Sequence, residues 1–329
     1  MNKIKSLIKP YSSNALVFEL FLQNRIHPFY ATQIINILTN NKLNIDHSET
    51  IKTMVNKPTV IADIPDYLDV EIIAGTDTGK VKKIRQYKGF LMDLTNSADT
   101  NDYLLNQLSK RNRKNLFSKL RKLENDHQIT YKMYFGDISK EHYDFLFDVF
   151  YKLFDRRFKE KKIYNKNLIN WKYYHELIYP MILDKKASLY VIYDQDKPID
   201  ITLNFHLGDI VFSFMHTYDI DYSTYNMGDI AMLKHLDWCF LHQIAQYDLS
   251  IGETGQKIKW CNYSYDFKYH IFYNPKSVSS LLLTQIIYSK LKLKQFLRDK
   301  NIIGKFFQYD KFFYKRRAKK LKNFNWRNS

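Results

Sequence analysis

The sequence predicts an α+β fold, and three observations carry that prediction. Helix and strand patterns alternate along all 329 residues without an internal repeat of fixed period. Residues 187–217 read as three strands joined by tight turns, with a helix and further strands after them. Apolar residues make up 45% of the chain, and 23 Phe with 26 Tyr supply ample bulk for a core. No run of 18 uncharged apolar residues exists, so no bilayer-spanning helix is predicted.

Taken in order, the chain opens on a predicted strand over 16–22 and a helix over 30–39. Strands over 59–64 and 70–74 follow. Gly75-Thr76-Asp77-Thr78-Gly79 has turn chemistry and joins the latter to a strand over 81–94 as a hairpin. Residues 101–124 read as one helix, with Leu104, Leu105, Leu108, Leu116, Leu120 and Leu123 near helical spacing. A strand over 130–135 comes next. Ser139 with Glu141 and His142 opens a helix whose expected apolar face is Phe145, Val149, Leu153 and Phe154. A helix over 167–183 leads to strands over 187–193, 199–206 and 210–217. The turns between these strands are Asp194-Gln195-Asp196-Lys197-Pro198 and Gly208-Asp209. A helix over 228–243, strands over 247–251 and 268–273, and a helix over 280–297 complete the prediction.

The net charge of +17 is uneven. Residues 285–329 hold fourteen Lys or Arg against Asp299 and Asp310, a net of +12, which leaves +5 for all the rest. The basicity therefore belongs mainly to the tail and points to nucleic acid, anionic lipid or an acidic partner. Cys239 and Cys261 form no Cys-x-x-Cys pair and no disulfide framework, which suits a reducing cytosol. The basic N-terminus is not followed by a long apolar stretch ending in small residues, so a cytoplasmic protein without a secretory signal is expected.

The order of the later elements, meander, loop, helix, strand, strand, is the order that an acyl-CoA transferase of the GNAT fold needs. Three stretches add to the likeness. The basic run from Leu108 through Arg111, Arg113 and Lys114 to Glu124 is one. Tyr218-Asp219 with Gly228 is the second, and Asp248 through Gly252-Glu253 to Lys257 and Trp260 is the third. Together, over 108–273, they resemble the FemAB/CelD-like acetyltransferases of bacterial envelope and polysaccharide systems. The resemblance implies two strands that splay to admit a thioester. It also implies a pyrophosphate loop at a helix N-terminus, formed by Thr217, Tyr218, Asp219, Tyr225, Asn226, Met227, Gly228 and Asp229. Two departures stand out: of the GNAT loop pattern only Gly228 fits, and the family's Tyr-Lys pair reads Gln256-Lys257. FemAB-like proteins duplicate the fold. Residues 1–107 are accordingly expected as a degenerate GNAT-like lobe, 108–280 as the acyltransferase domain, and 281–329 as a basic helix and tail.

Transfer from a thioester needs a base for the nucleophile, donors for the oxyanion and a proton for the thiolate. Glu253 is the first candidate base, with Asp248 and Asp219 as rivals; the competing reading of Glu253 is a solvated loop carboxylate. Lys257 suits developing negative charge or a phosphorylated acceptor. Tyr263 and Tyr265 suit protonation of the thiolate, against plain packing. Arg111, Arg113 and Lys114 lie in a run, 110–122, of seven Lys or Arg without an acid: an anion site for the acceptor's phosphates or RNA, or a solvated helix face. His206, His216 and Trp260 are candidate acceptor contacts, with core packing as the competing reading. His235, Cys239 and His242 share a helical face and are zinc-type ligands. A closed zinc site needs a fourth, none offers itself, and no metal is expected. Gly75-x-x-x-Gly79-Lys80 is one residue short of a Walker A loop, so the hairpin reading stands.

The resulting expectation is an acyltransferase that moves an acyl group, foremost acetyl, from acetyl-CoA as co-substrate. The acceptor is an amine or hydroxyl of a sugar-containing envelope or polysaccharide intermediate, a class resting on the resemblance alone. FemX-like transfer from aminoacyl-tRNA to a peptidoglycan precursor is one alternative, favoured by the basic helix and the poor pyrophosphate loop. A non-enzymatic nucleic-acid or partner-binding protein is another. The tail interleaves cations with Phe306, Phe307, Phe312, Phe313, Phe324 and Trp326. That mixture suits an anionic membrane surface or single-stranded nucleic acid. Docking of 280–297 on the transferase lobe and contact of 305–327 with the inner membrane face are expected.

Overall fold

The computed structural model describes residues 12–47, 57–73, 79–300, 302, 314 and 326–328. The first-half elements are β1 (Ser12–Ala15), α1 (Leu16–Gln23), β2 (Arg25–Ile26), β3 (Tyr30–Asn36), β4 (Asn41–Asn44), β5 (Asp46–His47), β6 (Thr59–Pro65), β7 (Leu68–Ile72), β8 (Lys80–Asp93), α2 (Thr100–Gln107), α3 (Lys110–Asp126), β9 (Ile129–Tyr134) and α4 (Lys140–Lys161). Then come α5 (Trp171–Leu183), β10 (Ala187–Asp194), β11 (Lys197–Leu207), β12 (Ile210–Tyr218), α6 (Met227–Leu241), β13 (Gln246–Ile251), α7 (Gly255–Trp260), β14 (Tyr263–Tyr273) and α8 (Val278–Asp299). The chain forms two compact units: 1–91 with 251–253 and 263–306, and 92–250 with 254–262 and 307–329.

In the first unit the strands run β1-β6-β14-β8, with β1 parallel to β6 and β14 antiparallel to both neighbours. A smaller antiparallel sheet, β4-β3-β7, packs in the same unit. Two expectations are corrected here. Residues 16–23 are helix rather than strand: Leu16, Val17, Leu20 and Phe21 are buried at helical spacing, and Asn24 closes the turn at φ 50°. Residues 30–36 are strand rather than helix. Tyr30, Ile34 and Asn36 point inward, a spacing of four that fits period 2 as well as a helical turn, and pairing on both edges decides it. The turn over 75–78 lies outside the described residues.

In the second unit the order is β13-β12-β11-β10-β9. The meander β10-β11-β12 is antiparallel, and its turns use Gln195 at φ 53° and Gly208 at φ 58°. On one face α2, α3 and α6 bury Leu104, Leu116, Leu120, Leu123, Ile230 and Leu236 against Tyr190, Val211 and Tyr247. The α4 and α5 helices pack Phe147, Phe150 and Phe154 around Trp171. The single helix expected over 101–124 is two, because Leu108 is extended and buried and Ser109 caps the second by accepting from the Asn112 N–H. The inward face of α4 is Tyr143, Leu146, Phe147, Phe150, Leu153 and Phe154, while Phe145 is exposed.

Candidate active site

β12 and β13 run parallel, but their pairing lasts only three residues, Ile210↔Gln246 to Phe212↔Asp248. Both strands continue, to Tyr218 and Ile251. A bulge marks the parting point: Leu203 pairs with Met215 and Asn204 with Ser213, so Phe214 is an extra residue on β12. Beyond it, among the described residues, no further β12–β13 pairing follows.

His216 lies on that stretch of β12. Its Nε2 faces both carboxylate oxygens of Asp200 on β11, at 2.9 and 3.1 Å. Asp200 is fully buried, while the imidazole keeps 17% of its surface exposed. Burial raises the Asp200 carboxyl pKa, and His216 and Arg157 pull it back. Arg157 also stacks on Tyr218, 4.5 Å from the ring centroid, and donates to the His216 carbonyl at 3.2 Å. Thr202, opposite His216, and Asn204 each carry a buried oxygen without a hydrogen-bond partner. The sequence marks His216 as a candidate acceptor contact. Its carboxylate partner is not marked, although Asp200 amid apolar strand residues is a recognisable signal.

The loop expected to hold pyrophosphate is tightly tied down. Asp219 accepts from Arg156 at 2.9 Å and Lys197 at 2.7 Å, and it caps the Asp221 N–H. Tyr225 donates to Asp126 at 2.9 Å, and Lys119 reaches the Thr224 carbonyl at 2.7 Å. Asn226 enters α6 in the left-handed conformation, φ 57°, with no side-chain cap on the helix. Met227 is buried. A Cβ on Gly228 would stand 2.8 Å from Gln256 Nε2, so the α7 side chain covers the start of α6. Asp229 is bound by Lys259 and by Trp260 Nε1, the latter at 2.8 Å. Thr217 is buried with its hydroxyl unpartnered.

Helix α7 itself was not foreseen, though Thr254 caps it by accepting from the Lys257 N–H. Lys257 Nζ donates to the Ser250 carbonyl at 3.2 Å, and burial lowers its pKa against the opposing pull of Asp248 and Cys261. Asp248 is buried and accepts from the Ser250 N–H at 2.6 Å, fixing a left-handed turn at Ser250, φ 61°. Burial, with Asp248 nearby, pushes the Cys261 thiol up to about 12. Asp248, Lys257, Cys261 and Trp260 thus share one neighbourhood of the second unit. Glu253, in the first unit, is exposed, and Tyr263 opens β14 paired with Leu91.

The remaining candidates disperse. Arg113 donates to the carbonyls of Leu104, Leu105 and Leu108, closing α2, while Arg111 and Lys114 are exposed. His206 bonds Ser188 at 2.8 Å between Phe135 and Trp238, and burial drops its pKa to about 3. Trp260 is buried, its carbonyl accepting from Tyr103. His235 is buried on Asn204 and the Ala231 carbonyl, Cys239 is buried, and His242 stacks on Trp238. Among the described residues no cluster of three or more His, Cys, Asp or Glu is placed to hold a metal.

Residues 110–268 match the family described as "Acetyltransferase (GNAT) domain", and this segment is a GNAT-type domain with the α+β architecture of that fold. Several solved structures are similar at low identity. A crystal structure of FemX has 12% identity and a TM-score of 0.46, covering 65% of this chain and 71% of that one. L-PGS from Bacillus licheniformis has 10% identity and a TM-score of 0.42, covering 71% and 73%. A conserved protein of unknown function from Bacteroides thetaiotaomicron has 10% identity and a TM-score of 0.42, covering 66% and 70%. No curated protein sequence matches the chain. Among the described residues no helix is long and apolar enough to cross a membrane.

Proposed function

We propose that this protein transfers an acyl group, foremost acetyl from acetyl-CoA, to an amine or hydroxyl on a sugar-containing envelope or polysaccharide intermediate. The observation that carries the reading is the parallel β12–β13 pair that ends after three residues inside a GNAT-type domain. Where the two strands part, backbone N–H groups are the donors that this proposal assigns to the thioester oxyanion. His216, held by Asp200, is the proton acceptor in this proposal, because a base oriented by a buried carboxylate suits deprotonation of the attacking amine or hydroxyl. The nucleophile bonds the carbonyl carbon, the C–S bond breaks, and Lys257 with its lowered pKa supplies the proton to the thiolate. Glu253, exposed beyond the strand, is the competing base.

One observation favours a second reading, FemX-like use of aminoacyl-tRNA. Gln256 covers the start of α6, and Asp229 places a carboxylate in its first turn, where a pyrophosphate would be received. Thermal unfolding with acetyl-CoA, coenzyme A and aminoacyl-tRNA separates the two. At a hundredfold excess over Kd the true carrier adds about 2.7 kcal/mol. Stabilisation by acetyl-CoA is expected; stabilisation by aminoacyl-tRNA alone moves the protein to the second reading. No response to either sinks both.

A further inference from the structure

The C-terminal helix of the first unit is turned inside out. At 22 residues α8 is about 33 Å long. It faces β14 and its neighbours with Ser280, Thr284, Ile287, Leu291 and Gln295. Ile287 and Leu291 join an apolar cluster with Val60, Ile84, Tyr269 and Ile271, and half-buried Tyr288 packs against it. Polar contacts add to this attachment. Lys82 donates to Gln285 at 2.9 Å, Arg298 to the Gln86 carbonyl at 2.9 Å, and Arg85 pairs with Asp299 at 2.5 Å. Ser280 accepts from the Asn274 N–H at 3.1 Å.

The opposite face carries the bulk. Val278, Leu282, Ile286, Leu293 and Phe296 are 71, 63, 64, 58 and 55% exposed. At 100° per residue they fall within a single stripe along the helix. A stripe of this kind on a soluble surface marks a contact site, since apolar area left in water forgoes ~25 cal/mol per Å². Lys290 and Lys292 flank it on either side and Lys300 follows it in line, all exposed, and Asp299, the acid on the helix, is already held by Arg85.

We propose that α8 is an interfacial helix that lays this stripe on an anionic lipid surface. The charge pattern selects that occupant. Apolar side chains bordered by lysines match the acyl–headgroup boundary of anionic lipid. A second copy of the chain would bring the same lysines against each other at the same stripe. The polar struts on the inner face explain how the helix stays attached to β14 while its apolar face remains available. The proposal is independent of the acyl-transfer reading, since it concerns no residue of that site.

The test is cosedimentation of the full chain with vesicles of phosphatidylcholine, with and without phosphatidylglycerol. Wild type is expected to bind the anionic vesicles, and the triple variant Leu282→Gln, Ile286→Gln, Leu293→Gln to bind at least roughly tenfold more weakly. Because those side chains are exposed, the variant should keep the wild-type unfolding temperature. A second variant, Lys290→Gln with Lys292→Gln, should lose the preference for phosphatidylglycerol. Wild-type vesicle binding by the triple variant overturns the proposal, as does failure of the wild type to bind. Concentration-dependent dimerisation abolished by the triple variant, without vesicle binding, assigns the stripe to a second copy.

Discussion

A buried carboxylate facing a partly exposed imidazole is the arrangement in the second unit that most resembles working chemistry. Asp200 holds His216 at Nε2, which leaves Nδ1 as the free lone pair if Nε2 carries the proton. His216→Gln is expected to cut turnover by roughly a hundredfold or more while carrier affinity stays within about twofold. Asp200→Asn should lower turnover too, and nitrogen-detected NMR of the variant should show His216 no longer held in the Nε2–H form. The competing base is exposed: Glu253→Gln should leave turnover near wild type. If Glu253→Gln is the inactive variant and His216→Gln is not, the base is Glu253. Asp219, the third carboxylate weighed as a base, is occupied by Arg156 and Lys197, so Asp219→Asn should loosen the loop before α6 rather than stop proton transfer.

Between β12 and α6, where the anion site is proposed, a neighbouring side chain covers the helix start. Gly228 is the residue where the backbone can approach a phosphate, yet Gln256 sits over it. Gln256→Ala should uncover the helix start and tighten coenzyme A binding; unchanged affinity in titration calorimetry would mean that no phosphate docks there. Gly228→Glu should abolish carrier binding with the fold intact if the proposed site holds, because its carboxylate adds negative charge at the helix start assigned to the pyrophosphate. Much of this element layer was legible. The meander, its turns and the following helix rest on local turn chemistry and periodicity, which survive any context. What stayed hidden depends on distant partners. β3 is a strand because β4 and β7 pair with it, and α1 is a helix although its eight residues, LVFELFLQ, are nearly all apolar. Asp200 and Gln256 gain their meaning from residues 16 and 28 positions away, which no spacing rule announces.

Across the molecule, three histidines carry the largest downward pKa shifts and dominate the expected response to acid, with His27 and His142 lowered in the same direction. His206 and His235 in the second unit and His270 in the first have pKa values lowered to about 3, in each case mainly by burial. Each is therefore neutral in the folded chain at pH 6, whereas the unfolded imidazole, near its ordinary 6.5, takes up a proton. Between about pH 6.5 and 3 the unfolded state binds more protons, so stability falls as pH falls. Each histidine contributes up to about 1.4 kcal/mol per pH unit in that window. Asp200 and Glu19, whose pKa values burial raises, act with the opposite sign and soften the slope toward the acid end. Asp144 and Asp194, held below the usual range by their partners, add to the loss only as their carboxylates protonate below about pH 4. The interval from pH 6.5 to 5 therefore isolates the histidines best. Urea midpoints measured across it should drop steadily for wild type. They should drop less for His235→Gln, whose neutral amide keeps a partner for Asn204 without a group to protonate. An unchanged slope in that variant, with His206→Gln and His270→Gln equally steep, would show that the acid sensitivity lies elsewhere.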